Sequence, residues 1–174
     1  MKKFLSRYKW WQWLIIVLAL AINSFIIVNS CMNANQSTNQ SGFVVTILSN
    51  IINGIKPGTI NDDNYGEFSS VIRKLVGHFG LFFTSGIFTT LSIKFIYYDL
   101  KKNYWIFLII SASSGLFLAI LTEIIQLFVP GRSGEIRDVF IDFGGYIFPL
   151  IIISIVVYFT SKKTSDIEKE DELV

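Results

Sequence analysis

Four stretches of this chain, residues 10–30, 71–97, 104–128 and 139–159, are predominantly apolar and each is about twenty residues long or more. A hydrocarbon core of about 30 Å needs roughly 20 helical residues to cross it. Little else constrains the fold as tightly. The 174 residues are 52% hydrophobic with a mean hydropathy of +0.53, and a soluble domain of that size would have too little polar surface to cover itself. The expected fold class is all-α: an integral membrane bundle of four transmembrane helices. The single cysteine, Cys31, excludes an internal disulfide framework and any CxxC metal site. One histidine excludes a His-rich centre, and no basic stripe with interleaved aromatics supports nucleic-acid binding.

The runs divide the chain into a cytoplasmic N-terminus (1–9), a first span (10–30), a polar extracellular loop (31–70), a core (71–160) and a charged cytoplasmic tail (161–174). Within the core, spans at 71–97, 104–128 and 139–159 enclose an outer turn at 129–138. Trp10, Trp11, Trp13, Tyr97, Tyr98, Tyr104 and Trp105 sit at span ends, as interfacial belts require. The 31–70 segment carries Gly and Pro breakers in "KPGTINDDNYGE", with "NIINGI" (50–55) as a short interfacial helix. The tail reads as a solvated, partly disordered end.

Lysine and arginine set the direction. Lys2, Lys3, Arg7 and Lys9 precede the first span, Lys94, Lys101 and Lys102 flank the second turn, and Lys162, Lys163 and Lys169 follow the last span. The other side carries Lys56, Arg73, Lys74, Arg132 and Arg137. Both termini are therefore expected in the cytoplasm. "VNSC" ending at Cys31 has the look of a lipoprotein signal, but Asn29 fits it poorly and the apolar run is long enough to remain a span.

That direction brings the buried polar residues together. His78 falls about 10 Å below the outer surface at ~1.5 Å per residue. Glu123 and Gln126 occupy the last outer turns of the third span; Asp138 stands at the rim of the fourth, with Asp142 one turn deeper. Ser111, Gly115, Ala119 and Glu123 recur every four residues, a small-residue stripe that lets helices approach and turns Glu123 inward. Lys74, His78 and Phe82 align on the second span, while Asp138, Asp142 and Gly145 share a face of the fourth; Pro149 is expected to kink it. "VPGRSGE" has the breakers for a tight turn that would swing Arg132 back over the helix ends. Intramembrane charge costs a few kcal/mol on insertion scales and marks function or a paired network. The bland account makes Glu123 and Arg132 an ion pair that locks two spans, Arg73 and Lys74 interfacial anchors, and His78 a packing residue.

The pattern "RKLVGHF…TEIIQLFVPGRSGEIRDVFIDFGGY" resembles the VanZ-like family of bacterial membrane proteins over about residues 72–159. The family shares a basic residue and a histidine on one span, then E-x2-Q-x5-R-x5-D-x3-[DN]-x2-G. Here these are Lys74 and His78, then Glu123, Gln126, Arg132, Asp138, Asp142 and Gly145. Pro149 departs from the pattern, and the motif does not constrain residues 32–70. The resemblance implies a cell-envelope role, since the family is named for a protein giving low-level resistance to the glycopeptide teicoplanin.

The expected function is that of a multi-pass protein of the bacterial plasma membrane with an outward-facing polar pocket. Lys74, His78, Glu123, Gln126, Arg132, Arg137, Asp138 and Asp142 form its cluster, with Gly144 and Gly145 as structural glycines. The arginines would meet an anionic lipid headgroup, a lipid-linked cell-wall precursor or a glycopeptide. No cofactor and no resident metal is expected, and no catalytic residue is identified. An enzyme acting on a lipid-linked substrate is the alternative, with His78 and Glu123 in acid–base roles or Asp138 and Asp142 holding a divalent ion. No nucleophile beside a base is legible, which weighs against it. A third possibility is an assembly partner whose cluster only locks the helices.

Overall fold

The structure, a computed structural model, describes residues 8–99 and 103–171, the side chains of 162–171 excepted. Lys2, Lys3, Arg7, Lys101 and Lys102, on which the expected direction partly rests, lie outside the described residues, as do the side chains of Lys162, Lys163 and Lys169. The described chain is all helical: α1 Trp10–Ser30, α2 Ala34–Ile55, α3 Tyr65–Tyr98, α4 Tyr104–Leu127 and α5 Ile136–Asp171. α1, α3, α4 and the Ile136–Ser161 part of α5 are long and apolar enough to cross a membrane. Phe117, Phe140, Phe159 and Trp105 stand exposed on the outside of the bundle, the reverse of a water-soluble surface.

Three boundaries differ from expectation. α3 begins at Tyr65 rather than Val71, and α5 begins at Ile136 inside the expected turn and continues to Asp171, so the start of the tail is helical. The larger correction is α2. The segment expected as a loop with a short helix at 50–55 is a 22-residue helix. Its start is fixed by reciprocal capping: the Gln36 backbone N–H donates to the Asn33 side-chain Oδ1 at 3.0 Å, and the Asn33 backbone N–H donates to the Gln36 side-chain Oε1 at 3.1 Å. Glycine and polar residues lower helix propensity by only about 1 kcal/mol or less each, and the helix packs Val45 and Ser49 into the bundle.

Small residues govern the packing, because lipid supplies no hydrophobic push between helices. A Cβ at Gly115 of α4 would overlap the Tyr146 ring of α5. One at Gly86 of α3 would lie 2.6 Å from the Tyr146 carbonyl oxygen, and one at Gly145 2.5 Å from that of Phe79. Ser111, Gly115, Ala119 and Glu123 are all buried, as the four-residue stripe requires. Gly144, expected to be structural, faces open space and packs nothing. α5 carries Pro149 within its length as one helix. Polar side chains tie the middle of the bundle: Ser85 donates to Asn23 at 2.5 Å, Asn23 donates to Thr89 at 3.0 Å, and Ser114 and Tyr146 hydroxyls lie 2.9 Å apart.

Candidate functional site

The polar cluster lies where the C-terminal ends of α1 and α4 meet the N-terminal halves of α3 and α5. The α4–α5 connection builds its roof. Val129-Pro130-Gly131-Arg132 is a tight turn closed by the Arg132 N–H donating to the Val129 carbonyl at 3.1 Å. Proline presets the first central residue, and glycine supplies the positive φ (74°) of the second. The turn delivers Arg132 back onto α4, as expected from the sequence. Gly134, which the sequence reading passed over, lets the chain close on α4: a Cβ there would lie 2.5 Å from the Glu123 carbonyl oxygen.

Arg132 does not reach Glu123, however. Its Nη2 and Nε donate to Gln126 Oε1 at 2.6 and 3.2 Å, and Gln126 Nε2 donates to Glu123 Oε1 at 2.9 Å. The expected ion pair is thus a relay through an amide. Glu123, 5% exposed, also accepts the Glu135 backbone N–H at 2.9 Å, so its carboxylate anchors the start of α5.

Across the bundle, α3 is π-helical from Arg73 to Gly80, a wider turn of the kind frequent at functional sites. Lys74 is more than an interfacial anchor: its Nζ contacts Asp138 Oδ1 at 2.8 Å and Glu135 Oε2 at 3.5 Å. His78 Nδ1 lies 3.1 Å from Asp142 Oδ1, and its Nε2 lies 3.8 Å from Asp138 Oδ2. Asp142 is 1% exposed, and its other oxygen has no hydrogen-bond partner among the described residues. One expected member is absent from the gathering. Arg137 is exposed and forms no hydrogen bond or ion pair among the described residues.

Two adjoining cavities open on this cluster. One, of about 270 Å³, is polar and lies under the turn, between Lys74, Ser133, Glu135 and Asp138. The other, of about 260 Å³, runs between α1, α2 and α3 and has apolar walls from Phe25, Ile26, Val44, Val76, Leu81 and Phe82. Arg73, His78, Gln126 and Arg132 line both. Arg73 was missed as a site residue because a dibasic pair at a span end reads as an anchor. α2 was missed with it, although it contributes Ser37, Gln40 and Ser41 to the wall; Asn33 and Gln36, three residues apart, were the available signal.

The guanidinium of Arg132 is placed at a cost. Burial first, and then the charge of Arg73, lower its pKa from the ordinary value, while Glu123 and Asp138 act the other way. Its Nη1 is buried without a hydrogen-bond partner, and Arg73 has none among the described residues. Two neighbouring cations with spare donors make an electropositive wall between the cavities.

Compared with known proteins, the chain matches the model of the VanZ/LLP1 family over residues 13–159, which takes in α1 from Trp13, all of α2 to α4, and α5 through Phe159. No curated protein and no solved structure matches it.

Proposed function

Since the chain belongs to the VanZ/LLP1 family of multi-pass membrane proteins, we propose that it serves the bacterial cell envelope by binding an amphipathic anion in the two cavities. The phosphate or carboxylate of an anionic lipid headgroup or a lipid-linked cell-wall precursor would meet Arg73 and Arg132. The apolar part would lie along Phe25, Ile26, Val44 and Phe82. One observation carries this reading: Arg73 and Arg132, with unpartnered donors, line both a polar cavity and an adjoining one whose walls are apolar. A ligand anionic at one end and greasy at the other satisfies both halves.

By the excess of lysine and arginine at the opposite end, this end of the bundle would face outward from the plasma membrane, with both termini inside. Outer-leaflet lipids and precursors displayed outside would then have access to it. Low-level teicoplanin resistance, the property for which the family is named, would follow if that binding altered the availability of the antibiotic's target.

The test is binding of purified protein to vesicles or nanodiscs of phosphatidylcholine with and without phosphatidylglycerol, beside the Arg73→Ala and Arg132→Ala variants. The anionic lipid should bind wild type, and each substitution should weaken binding about tenfold or more, as expected for loss of a charge-assisted bond worth ~1.5–3 kcal/mol. Unchanged binding by a folded Arg132→Ala protein would sink the proposal. In cells, teicoplanin tolerance conferred by wild type and lost by Arg132→Ala at equal membrane abundance would extend it to resistance.

The enzyme reading keeps one specific support. His78 and Asp142 form an oriented imidazole–carboxylate pair beside Glu123 at the cavity wall. Turnover of a lipid-linked substrate, abolished by His78→Ala, would favour it over binding alone.

A further inference from the structure

The relation of His78, Glu123 and Asp142 to one another is not explained by anion binding. Each offers one donor atom, and the three atoms lie within 4.8 Å of one another, drawn from three different helices. Lys74 is committed to Asp138 and Glu135, and Arg132 reaches Glu123 only through Gln126. Two carboxylates, 5% and 1% exposed, therefore share a single imidazole. A protonated His78 would supply one positive charge against two negative ones. Burying uncompensated charge costs several kcal/mol, so a site of this kind calls for a stronger neutraliser.

We propose that His78, Glu123 and Asp142 bind one divalent transition-metal ion. With His78 neutral, a dication balances the two carboxylates. The donor set, one imidazole and two carboxylates, is of the borderline type that takes Zn²⁺ or Mn²⁺ rather than Mg²⁺ or Ca²⁺. Three protein ligands leave a coordination position open, as in catalytic rather than structural zinc sites.

The surroundings have the features of an outer coordination sphere. The 3.1 Å between His78 Nδ1 and Asp142 Oδ1 is a usual separation for two ligands of one ion. With Nδ1 on the metal, Nε2–H points toward Asp138 Oδ2 at 3.8 Å, and Lys74 holds the other oxygen of that carboxylate at 2.8 Å. A shortening of the 3.8 Å gap on metal binding would complete the carboxylate–histidine–metal order that fixes ring orientation. Glu123 is oriented by Gln126 and by the Glu135 N–H, each taking one oxygen and leaving a lone pair. The second oxygen of Asp142, buried and unpartnered, is the independent sign of a missing ligand. Bonds of about 2.1 Å place tetrahedral ligand atoms about 3.4 Å apart, so the donors, now within 4.8 Å of one another, would draw together on binding.

The site does not depend on what occupies the cavities, so its test needs no lipid. Protein purified in detergent without chelator is analysed for bound metal, then stripped with EDTA and titrated with Zn²⁺, Mn²⁺ or Mg²⁺ while thermal unfolding is followed by tryptophan fluorescence. The expected result is about one transition ion per chain and a midpoint that rises with Zn²⁺ or Mn²⁺ in the stripped wild type. Asp142→Asn and Glu123→Gln should abolish the rise. Asp138→Asn should keep it but shift the titration to about 10–100-fold higher metal, the effect of losing an orienting carboxylate. A stripped wild type whose midpoint is unmoved by Zn²⁺ and Mn²⁺ would overturn the proposal even if the variants failed to fold, as would a response to Mg²⁺ alone.

Discussion

The two ends of the bundle are built from the same helices and finished in opposite ways. At the end holding the α3–α4 connection, rings fill the space: Tyr98 packs on Phe107 with centroids 5.6 Å apart, and Tyr104 lies between Phe107 and Tyr158 at 6.3 and 5.6 Å. Their hydroxyls are tied off, Tyr98 donating to Ser161 at 2.6 Å and Tyr104 to the Ser154 carbonyl at 3.2 Å. At the other end, ionisable groups stand where rings would fit, and two cavities remain. α3 is π-helical near both ends, at Arg73–Gly80 and Lys94–Tyr98, so the wider turn alone does not make a site. What differs is what the turn faces. One end is packed for stability; the other leaves donors and acceptors unspent, the condition for binding something.

The contrast is broken most severely from the packed end. Phe107 is fully buried between Tyr98, Tyr104 and Val157. Phe107→Ala should cost toward the lower end of about 3–5 kcal/mol, because burial among helices in lipid gains packing but little hydrophobic transfer energy. Lipid binding by the fraction still folded should be unchanged. Thermal unfolding in detergent checks the first part, and vesicle binding the second. Equal stability would mean that the ring cluster is not what closes this end.

The α4–α5 seam between the two ends should respond less. Gly115→Val places a side chain against the Tyr146 ring and should cost about 1–3 kcal/mol as an overpacked core does. Gly144→Ala, entering open space one residue from the equally conspicuous Gly145, should be neutral or stabilising by up to about 1 kcal/mol through helix propensity. Unfolding midpoints of the pair measure this directly; similar losses in both would contradict the packing.

Much of this was legible in the sequence, and the limits have physical causes. Apolar length revealed α1, α3, α4 and α5, because lipid leaves a polypeptide few ways to satisfy its backbone. The convergence of Lys74, His78, Glu123, Gln126, Arg132, Asp138 and Asp142 followed from span direction alone, since depth along a helix is a simple function of residue number. Direct partners did not follow. Glu123 and Arg132 looked complementary, yet a glutamine side chain sits between them, and charge pairing in a sequence says nothing of which group arrives first. Arg137 lies one residue from Asp138 but on the outside of α5, because neighbours on a helix point about 100° apart. Gly144 and Gly145 are indistinguishable as letters; only the neighbour across the seam separates them. α2 was hidden by its polarity, since its exposed apolar residues Phe43, Ile47, Ile51 and Ile55 are interleaved with polar ones and make no unbroken apolar run like those by which the others were found.

The smallest effects sharpen the comparison most, because each end of α3 carries one lysine–aspartate contact. Lys94 meets Asp99, five residues away on the same segment, at 3.1 Å, with both side chains about a third exposed. Lys74 meets Asp138, sixty-four residues away on α5, at 2.8 Å, with the carboxylate only 11% exposed. A local, solvated pair recovers little beyond the entropy of holding it, so Lys94→Met should cost less than about 1 kcal/mol. Lys74→Met leaves a nearly buried carboxylate without its cation, and its cost should fall between that value and the about 3–5 kcal/mol of breaking a fully buried pair. Adding Asp138→Asn to Lys74→Met should then restore part of the loss, whereas Asp99→Asn should do nothing for Lys94→Met. Unfolding midpoints for the two double-mutant cycles decide it. A rescue at both ends, or at neither, would mean that the two contacts are equivalent and that the charged end owes nothing special to its buried carboxylates.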